Sequence, residues 1–399
     1  MEMDLLRCAL RSVTVFRTVA AEEPVRLALS MLDKLAAEDG MGAAEDYAAL
    51  FYRLAAGGQK SLGAWLYDRL RDVEEPYAAL VERGGEDPVL EDAARRDIET
   101  FAALAELDCG ALIAEMARQA PPAFAGALEG LPRWERGCPF DFEGLTAFYR
   151  ANGAGLFARH RAFLWEDGVL SPVAEPDCPA PDEMLGYELQ RDQVEANTRA
   201  MLEGNRVNDV LLYGDSGTGK SATVKSLLSL PGFEALRLIE VQKEGLADLP
   251  RLIRTLGGRK LKFILFIDDL SFDQDDKTYS ALKTILEGGV ERRPANVAVY
   301  ATSNRRHLVR QTFSDRAGDE VDAFETIAEK TSLAERFGLR IPYLALGKTE
   351  FLDMAERMAA QAGIRMDRDA LRAEASKWEI RHQGRTPRTA KQFIASLSL

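Results

Sequence analysis

"LLYGDSGTGKSATVK", residues 211–225, is the stretch of the sequence that decides the fold. An apolar run precedes three closely spaced glycines, and Lys220 and Ser221 follow them directly. Glycine has no Cβ and weakens any regular helix or strand that contains it. The question is therefore what requires bare backbone at this point of the chain.

The spacing Gly214-x-x-x-x-Gly219-Lys220-Ser221 answers this question, because it is the full phosphate-loop pattern. In such a loop, backbone N–H groups turn inward around phosphates, and the following helix adds the positive end of its dipole. We expect Lys220 to reach the β- and γ-phosphates and Ser221 to ligate Mg²⁺. The alternative, a glycine-rich turn between a strand and a helix, is the weaker interpretation. The predicted nucleotide-binding residues here are Gly214, Asp215, Ser216, Gly217, Thr218, Gly219, Lys220, Ser221 and Ala222.

A second nucleotide element is predicted in "LKFILFIDDL", residues 261–270. A buried parallel strand delivers side chains at its carboxyl end, where ligands lie in open α/β sheets. We expect Asp268 to hold Mg²⁺ through the metal's water shell and Asp269 to orient or deprotonate the attacking water. The alternative is an acidic strand end in solvent. If Asp269 is not the base, Glu287 and Glu291 are the next candidates.

The pattern of the sequence changes along the chain. Residues 1–170 carry apolar side chains at helical spacing, which predicts an all-helical N-terminal accessory domain in which Asp87 caps one helix. A solenoid is the alternative arrangement, but the sequence has no convincing fixed-period repeat. Residues 171–183 are rich in proline and are predicted to be a linker. In residues 184–346, short β-rich runs alternate with helical patterns, which predicts a parallel sheet, and residues 347–399 are predicted to be helical.

Composition limits the classes of protein that the chain can represent. It has 399 residues, of which 46% are hydrophobic, and no apolar run of membrane-spanning length. Its N-terminus is interrupted by charges and does not read as a signal peptide. Four scattered cysteines without a CxxC pair favour a reduced compartment, so we expect a cytoplasmic location and no cysteine metal site.

Residues 149–399 resemble an AAA+ ATPase module and, more narrowly, the bacterial family of predicted AAA+ ATPases known as DUF815. The similar stretches are "YRANGAGLFARHRAFLW", "LGYELQRDQVEANTRAMLEGNRVNDVLLYGDSGTGKSATVK", "FIDDLSF", "VAVYATSNRRHLV", "EKTSLAERFGLRI" and "GRTPRTAKQF". The first 130 residues match only in being helical. The resemblance implies an α/β P-loop NTPase (AAA+) core with a parallel sheet and a C-terminal helical lid, preceded by an all-α N-terminal domain. It also implies ATP and Mg²⁺ as cofactors.

The resemblance implies roles for two further residues. "VAVYATSN" ends in Asn304, where AAA+ proteins place the polar sensor 1 residue; an amide can donate to phosphate and accept from water. A turn-forming asparagine is the alternative. "LAERFGL" resembles the arginine-finger segment, so that Arg336 would complete the catalytic site of a neighbouring subunit. The alternatives are an ordinary surface arginine at this position, or a finger at one of the competitors Arg316, Arg340, Arg305 and Arg306.

The resemblance also extends to the lid and to the base of the nucleotide. "GRTPRTAKQF" resembles the sensor 2 motif, in which Thr386 caps a helix and Arg388 reaches back from its first turn to the γ-phosphate. Arg385 is the runner-up, and a solvent-facing arginine is the alternative. Tyr187 stands where the family places the adenine pocket, and it either stacks on the base or fills the core.

Two features depart from the usual AAA+ pattern. The second motif ends in Asp268-Asp269 rather than Asp-Glu, and the shorter side chain predicts slow hydrolysis. The sequence shows no convincing aromatic–hydrophobic–glycine pore loop in residues 230–260, where "EGLADLPRLIRTLGGRK" looks like an ordinary helix, and this argues against substrate threading.

Three functions agree with these residues. The first is an ATP-hydrolysing AAA+ protein that remodels or loads a macromolecular partner, assembles into a ring or other oligomer and binds an unidentified protein through its helical N-terminal domain. The second is an ATP-gated switch or scaffold with negligible turnover, which Asp269 favours. The third is a DNA-associated loader or initiator. A small-molecule kinase is disfavoured by Asn304 and Arg388.

A basic cluster bears on the choice among these functions: Arg292, Arg293, Arg305, Arg306 and Arg310. Such a cluster fits a channel that grips nucleic acid or a subunit interface, and we favour the interface. The net charge of −13 and the lack of an obvious DNA-reading module count against nucleic acid as the partner, and no membrane partner is expected.

Overall fold

The computed structural model describes residues 3–270, 282–283, 285–286, 293–304, 333–382 and 384–397. The chain forms two compact units, Met1–Arg159 and His160–Leu399. No helix in the described part of the chain is both long and apolar enough to cross a membrane.

The first unit is helical. Apolar side chains at three- and four-residue spacing meet in one core that includes Tyr47 and Phe101. Asp87 caps a helix, as predicted, by accepting hydrogen bonds from the backbone N–H groups of Val89 and Leu90 at 3.0 and 3.2 Å. The helices described in residues 3–159 are α1 (Met3–Arg11), α2 (Arg17–Ala20), α3 (Glu23–Ala36), α4 (Gly40–Ala56), α5 (Leu62–Asp72), α6 (Pro76–Glu82), α7 (Pro88–Ala105), α8 (Cys109–Gln119), α9 (Pro122–Glu129), α10 (Phe142–Asn152) and α11 (Leu156–Arg159).

The second unit contains one sheet. Its described strands are β1 (Ala162–Glu166), β2 (Val169–Val173), β3 (Val210–Gly214), β4 (Leu236–Val241), β5 (Lys262–Ile267), β6 (Val297–Ser303) and β7 (Leu339–Tyr343). They lie in the order β2-β1-β4-β5-β6-β3-β7, and every neighbouring pair is parallel except β1 with β2. β5 and β6 are buried along almost their whole length, as expected for apolar strands covered on both faces. The predicted α/β core with a parallel sheet is confirmed, with one antiparallel edge strand in addition.

Residues 160–173 differ from the sequence prediction, which assigned them to the N-terminal domain and the start of the linker. β1 pairs in parallel with β4, and β2 folds back on β1 through a turn at Gly168, whose φ is 73°. Pro172 is tolerated in β2 because an edge strand does not need every backbone N–H. The pairing of β1 with β4 joins residues far apart in sequence, so local spacing does not reveal it. The second unit therefore begins before the predicted boundary.

Helices flank the sheet and form the C-terminal lid. They are α12 (Glu188–Leu202), α13 (Lys220–Ser226), α14 (Leu249–Leu256), α15 (Lys348–Gln361), α16 (Arg368–His382) and α17 (Pro387–Leu397). The last three share a core of their own that includes Phe351 and Phe393. Thr386 caps α17 as predicted, since its Oγ1 accepts a hydrogen bond from Thr389 N at 3.3 Å. The predicted helical lid is thus confirmed.

Candidate nucleotide-binding site

The phosphate loop connects β3 to α13 at the carboxyl edge of the sheet. Gly214 has a φ of 134°, and a Cβ built on it would lie 2.3 Å from the carbonyl oxygen of Tyr343 on β7. Gly219 has a φ of 96° directly before α13. Only glycine adopts such angles without strain, and only glycine lets β3 approach β7 so closely. The loop is closed on itself by a hydrogen bond from Thr218 Oγ1 to the carbonyl of Asp215 at 2.8 Å.

Lys220 lies buried under this loop, with 5% of its surface exposed. Its Nζ donates hydrogen bonds to the carbonyl oxygens of Gly214 and Asp215 at 3.1 and 2.7 Å, and to Oδ1 of Asn304 at 2.8 Å. Burial lowers the pKa of the Lys220 ammonium below its ordinary value, while nearby carboxylates, Asp215 first, oppose that shift. The Lys220 ammonium is therefore held at a fixed place inside the loop.

Asp268 follows β5 directly and meets hydroxyl groups from two other elements. Ser221 Oγ, in the first turn of α13, donates to Asp268 Oδ1 at 2.6 Å. Thr302 Oγ1, at the end of β6, donates to the same oxygen at 2.5 Å. Hydroxyl and carboxylate oxygens are the ligands that Mg²⁺ prefers in proteins. Ser221 and Asp268 therefore form a donor set that fits the predicted metal.

Asp269 and Asn304 are joined across the ends of β5 and β6. Asn304 Nδ2 donates to Asp269 Oδ1 at 2.7 Å, while its own Oδ1 accepts from Lys220. Asn304 therefore connects the cation of the loop with the second carboxylate. Asp269 has a φ of 50°, a left-handed conformation that is uncommon outside glycine but is more frequent for aspartate and asparagine.

These side chains face one cavity of about 470 Å³. The start of α17 forms its opposite wall, where the backbone N–H of Arg388 donates to the carbonyl of Gly217 at 3.2 Å. Arg385 instead donates through Nε to Oε2 of Glu379, at 2.8 Å within the lid. Of the two arginines that the sequence offered, Arg388 borders the cavity. The lining residues are Ser216, Gly217, Gly219, Lys220, Ser221, Ala222, Asp268, Asp269, Thr302, Asn304, Pro387, Arg388, Lys391 and Gln392.

A smaller cavity of about 70 Å³ lies next to the loop, bordered by Tyr187, Gly219 and Lys391 among others. Tyr187 is buried, its ring stacks on Tyr343 with centroids 5.0 Å apart, and its hydroxyl donates to the carbonyl of Leu344 at 2.6 Å. Burial raises the pKa of the Tyr187 hydroxyl. Tyr187 thus belongs to the core and also borders this cavity, and its stacking on a base stays a prediction.

Comparison with known proteins adds the family. The family model described as "Protein of unknown function (DUF815)" matches residues 158–398. The chain belongs to the DUF815 family. No curated protein matches it.

Among solved structures, the DUF815 chain is similar to the RuvB Holliday junction branch migration motor of Thermotoga maritima, with 18% identity and a TM-score of 0.35. The match covers 54% of this chain and 63% of that one. Two variants of the same RuvB are similar at 17% identity and a TM-score of 0.36, with the same coverage. The chain therefore spans less than two thirds of the length of these structures.

Several predicted arginines of this DUF815 protein lie away from the cavity or outside the described residues. Arg336 and Arg340 are exposed and do not line the cavity. Arg293 donates to Oδ2 of the buried Asp209 at 2.8 Å, which gives it a role in the core of the second unit. The predicted residues that lie outside the described part of the chain are Arg292, Arg305, Arg306, Arg310, Arg316, Glu287 and Glu291.

Four residues that line the cavity were not predicted as site residues from the sequence: Thr302, Pro387, Lys391 and Gln392. Thr302 lies inside a buried strand, where threonine is an ordinary strand former, so its residue type gave no sign of a role. Lys391 and Gln392 lie one turn after Arg388 on α17, and helical spacing from Arg388 is the signal that could have found them.

Proposed function

We propose that this DUF815 protein is an AAA+ ATPase that binds and hydrolyses ATP to remodel or load a macromolecular partner. The observation that carries the proposal is the convergence on one cavity of Lys220, Ser221, Asp268, Asn304 and Arg388. These side chains come from four separate elements, α13, α17 and the ends of β5 and β6. A cavity with a buried lysine, a metal-type oxygen pair and a second carboxylate suits a nucleoside triphosphate.

The residues of the loop have distinct roles in this proposal. Lys220 binds the β- and γ-phosphates, and the backbone from Gly214 to Ala222 surrounds them. Ser221 and Asp268 hold Mg²⁺, which, when bound, neutralises charge that develops on the phosphates. Arg388 contacts the γ-phosphate from the lid, and Tyr187 borders the space for the base.

Asp269 orients or deprotonates the attacking water, and Asn304 holds that carboxylate in place. The hydrogen bond of 2.7 Å between them fixes the direction of the carboxylate toward the cavity. Asn304 also contacts Lys220 at 2.8 Å, so phosphates that draw the lysine toward them also change the contact that orients Asp269. The site thereby links phosphate binding to the position of the base.

Arg336 acts in trans in this proposal and completes the site of a neighbouring subunit. Arg336 is exposed and is not among the residues that line the cavity of its own chain, which agrees with such a role. The protein then hydrolyses ATP as a ring or another oligomer. The helical first unit binds the unidentified protein partner.

ATP turnover across protein concentration, from nanomolar to tens of micromolar with Mg²⁺, tests the proposal. Specific activity that rises with concentration supports a site completed between subunits. Lys220→Ala is expected to lose most ATP affinity, because the substitution removes the ammonium that lies under the loop. Lys225→Ala is the matched control, since Lys225 lies on the same helix and faces Glu240 at 3.7 Å instead. Equal loss in both variants would contradict the assignment of the phosphate loop.

An ATP-gated switch with negligible turnover is the second candidate. Two features of Asp269 favour it. Oδ1 of Asp269 already accepts a hydrogen bond from Asn304, and the side chain is one methylene shorter than that of glutamate. Tight Mg²⁺-dependent ATP binding with no turnover at any protein concentration would select the switch over the ATPase. A DNA-associated loader is not favoured, because Arg293 is paired with Asp209 and the net charge is −13.

A further inference from the structure

Thr302 makes hydrogen bonds with three consecutive residues at the end of β5. Its Oγ1 donates to Asp268 Oδ1 at 2.5 Å and accepts from the backbone N–H of Asp269 at 2.9 Å. Its carbonyl oxygen accepts from the backbone N–H of Leu270 at 2.7 Å. With 2% of its surface exposed, Thr302 does this from within the sheet. One buried residue of β6 therefore fixes the loop that carries both carboxylates.

We infer that Thr302 is the positioning residue for Asp268 and Asp269, an inference that rests on the proposed function. A hydroxyl has one proton to donate and lone pairs that accept, and both capacities are used here. The donated proton helps to fix the rotation of the Asp268 carboxylate, together with the proton from Ser221 on the same oxygen. The accepted N–H helps to hold Asp269 at its φ of 50°, a conformation that a non-glycine residue keeps where its surroundings require it.

None of the hydrogen bonds of the Lys220 ammonium described above goes to Thr302, and the lysine meets the carboxylate side of the site through Asn304. The lysine is held by two carbonyls of the loop and by Asn304. Loss of the Thr302 hydroxyl therefore leaves these hydrogen bonds of Lys220 in place. It releases the carboxylates on which the metal and the attacking water depend. The consequence is a loss of turnover and of Mg²⁺ dependence, with little change in metal-free ATP affinity.

Thr302→Val removes the hydroxyl and keeps the shape of the side chain, while Thr302→Ser keeps the hydroxyl. The matched control is Thr198→Val on α12, which removes another buried hydroxyl. That hydroxyl hydrogen-bonds at 2.7 Å to Tyr300, which lies on β6 like Thr302 but does not line the cavity. Turnover is measured as kcat and KM, and ATP affinity by titration with and without Mg²⁺. Melting temperature reports on folding in every variant.

For Thr302→Val we expect kcat to fall about tenfold to a hundredfold, because hydrogen bonds to a charged group and to a strained amide are lost together. We expect the gain in ATP affinity on adding Mg²⁺ to shrink, and affinity in chelator to stay within about twofold of the wild type. Thr302→Ser is expected to retain kcat within about threefold, and Thr198→Val to change only the melting temperature.

The outcomes separate this inference from the proposed function. If the wild type hydrolyses ATP and Thr302→Val hydrolyses it equally well, the inference is wrong and the proposed function stands. If the wild type binds ATP without turnover, the ATPase proposal fails, and the Mg²⁺ dependence of binding still tests Thr302. Equal Mg²⁺ dependence in wild type and Thr302→Val then overturns the inference. A parallel loss of kcat in Thr198→Val would assign Thr302 a purely structural role.

Discussion

Arg385 and Arg388 stand three positions apart, yet the structure gives them opposite surroundings, and their alanine variants should differ accordingly. Arg388 borders the 470 Å³ cavity. Arg385 donates to Glu379, whose carboxylate is 8% exposed, at 2.8 Å. Arg385→Ala is therefore expected to destabilise the fold and spare nucleotide binding, whereas Arg388→Ala is expected to do the reverse.

The magnitude follows from the burial of the pair. Breaking a fully buried ion pair costs about 3–5 kcal/mol, and an exposed pair contributes about 0.2–1 kcal/mol. Glu379 is buried but Arg385 is 42% exposed, which places this pair between the limits, at about 2 kcal/mol. For a unit of this size, each kcal/mol lowers the melting temperature by about 2–4 °C, so Arg385→Ala should lower it by about 4–8 °C.

Thermal unfolding without nucleotide and titration with a fluorescent ATP analogue measure the two effects. Arg385→Ala should keep ATP affinity within about twofold, whereas Arg388→Ala should weaken it about tenfold with an almost unchanged melting temperature. Arg381→Ala, an exposed change near the end of α16, is the control and should alter neither quantity. Lost ATP affinity with an unchanged melting temperature in Arg385→Ala would refute the assignment and make Arg385 the nucleotide contact.

Four further predictions concern the loop, the base and the finger. Asp269→Glu restores the usual Asp-Glu ending, yet turnover should fall about tenfold to a hundredfold. The φ of 50° suits aspartate, and the longer glutamate side chain displaces the carboxylate. A higher kcat in this variant would show instead that the length of the Asp269 side chain limits turnover. Gly217→Ala should weaken ATP binding, since the new Cβ would lie 3.1 Å from Cβ of the lid residue Arg388. Gly363 has a similar φ but open space around it, so Gly363→Ala should leave ATP binding unchanged. Equal ATP affinities of the two variants would contradict this prediction. Burial lowers the pKa of the Lys220 ammonium, so ATP affinity should fall as the pH rises through this lowered pKa, with proton uptake on binding. Lys220→Arg should make ATP affinity nearly independent of pH over the same range. A parallel decline of affinity in both proteins would exclude Lys220 as the titrating group. Arg336→Ala should bind ATP without turnover and regain activity in mixed oligomers with intact fingers; lost binding would mark the residue as structural.

The sequence predicted the parts of the site that are contiguous in the chain. The phosphate loop is one segment, and its strand, loop and helix follow each other in residues 210–226. The pair Asp268-Asp269 was equally predictable, because an apolar run that ends in acids is typical of a strand at a ligand-binding edge. Local spacing therefore located both elements and the fold class.

The features that depend on distant contacts were not predictable in this way. β1 joins the sheet through β4, and the spacing of residues 162–166 alone does not distinguish that strand from the helices before it. The choice between Arg385 and Arg388 depends on where Glu379 lies in the folded lid. Thr302 acquires its hydrogen bonds only when β5 and β6 are adjacent, because its residue type is ordinary for a strand.

The phosphate loop is also joined to the lid by hydrogen bonds at two separate points. Oδ2 of Asp215 accepts a hydrogen bond from the backbone N–H of Ala345, in the segment that leads into the lid, at 2.7 Å. The carbonyl of Gly217 accepts from Arg388 at the start of α17. Both contacts come from the same short loop that would surround the phosphates. A shift of that loop on nucleotide binding would therefore act on the entry and on the last helix of the lid together.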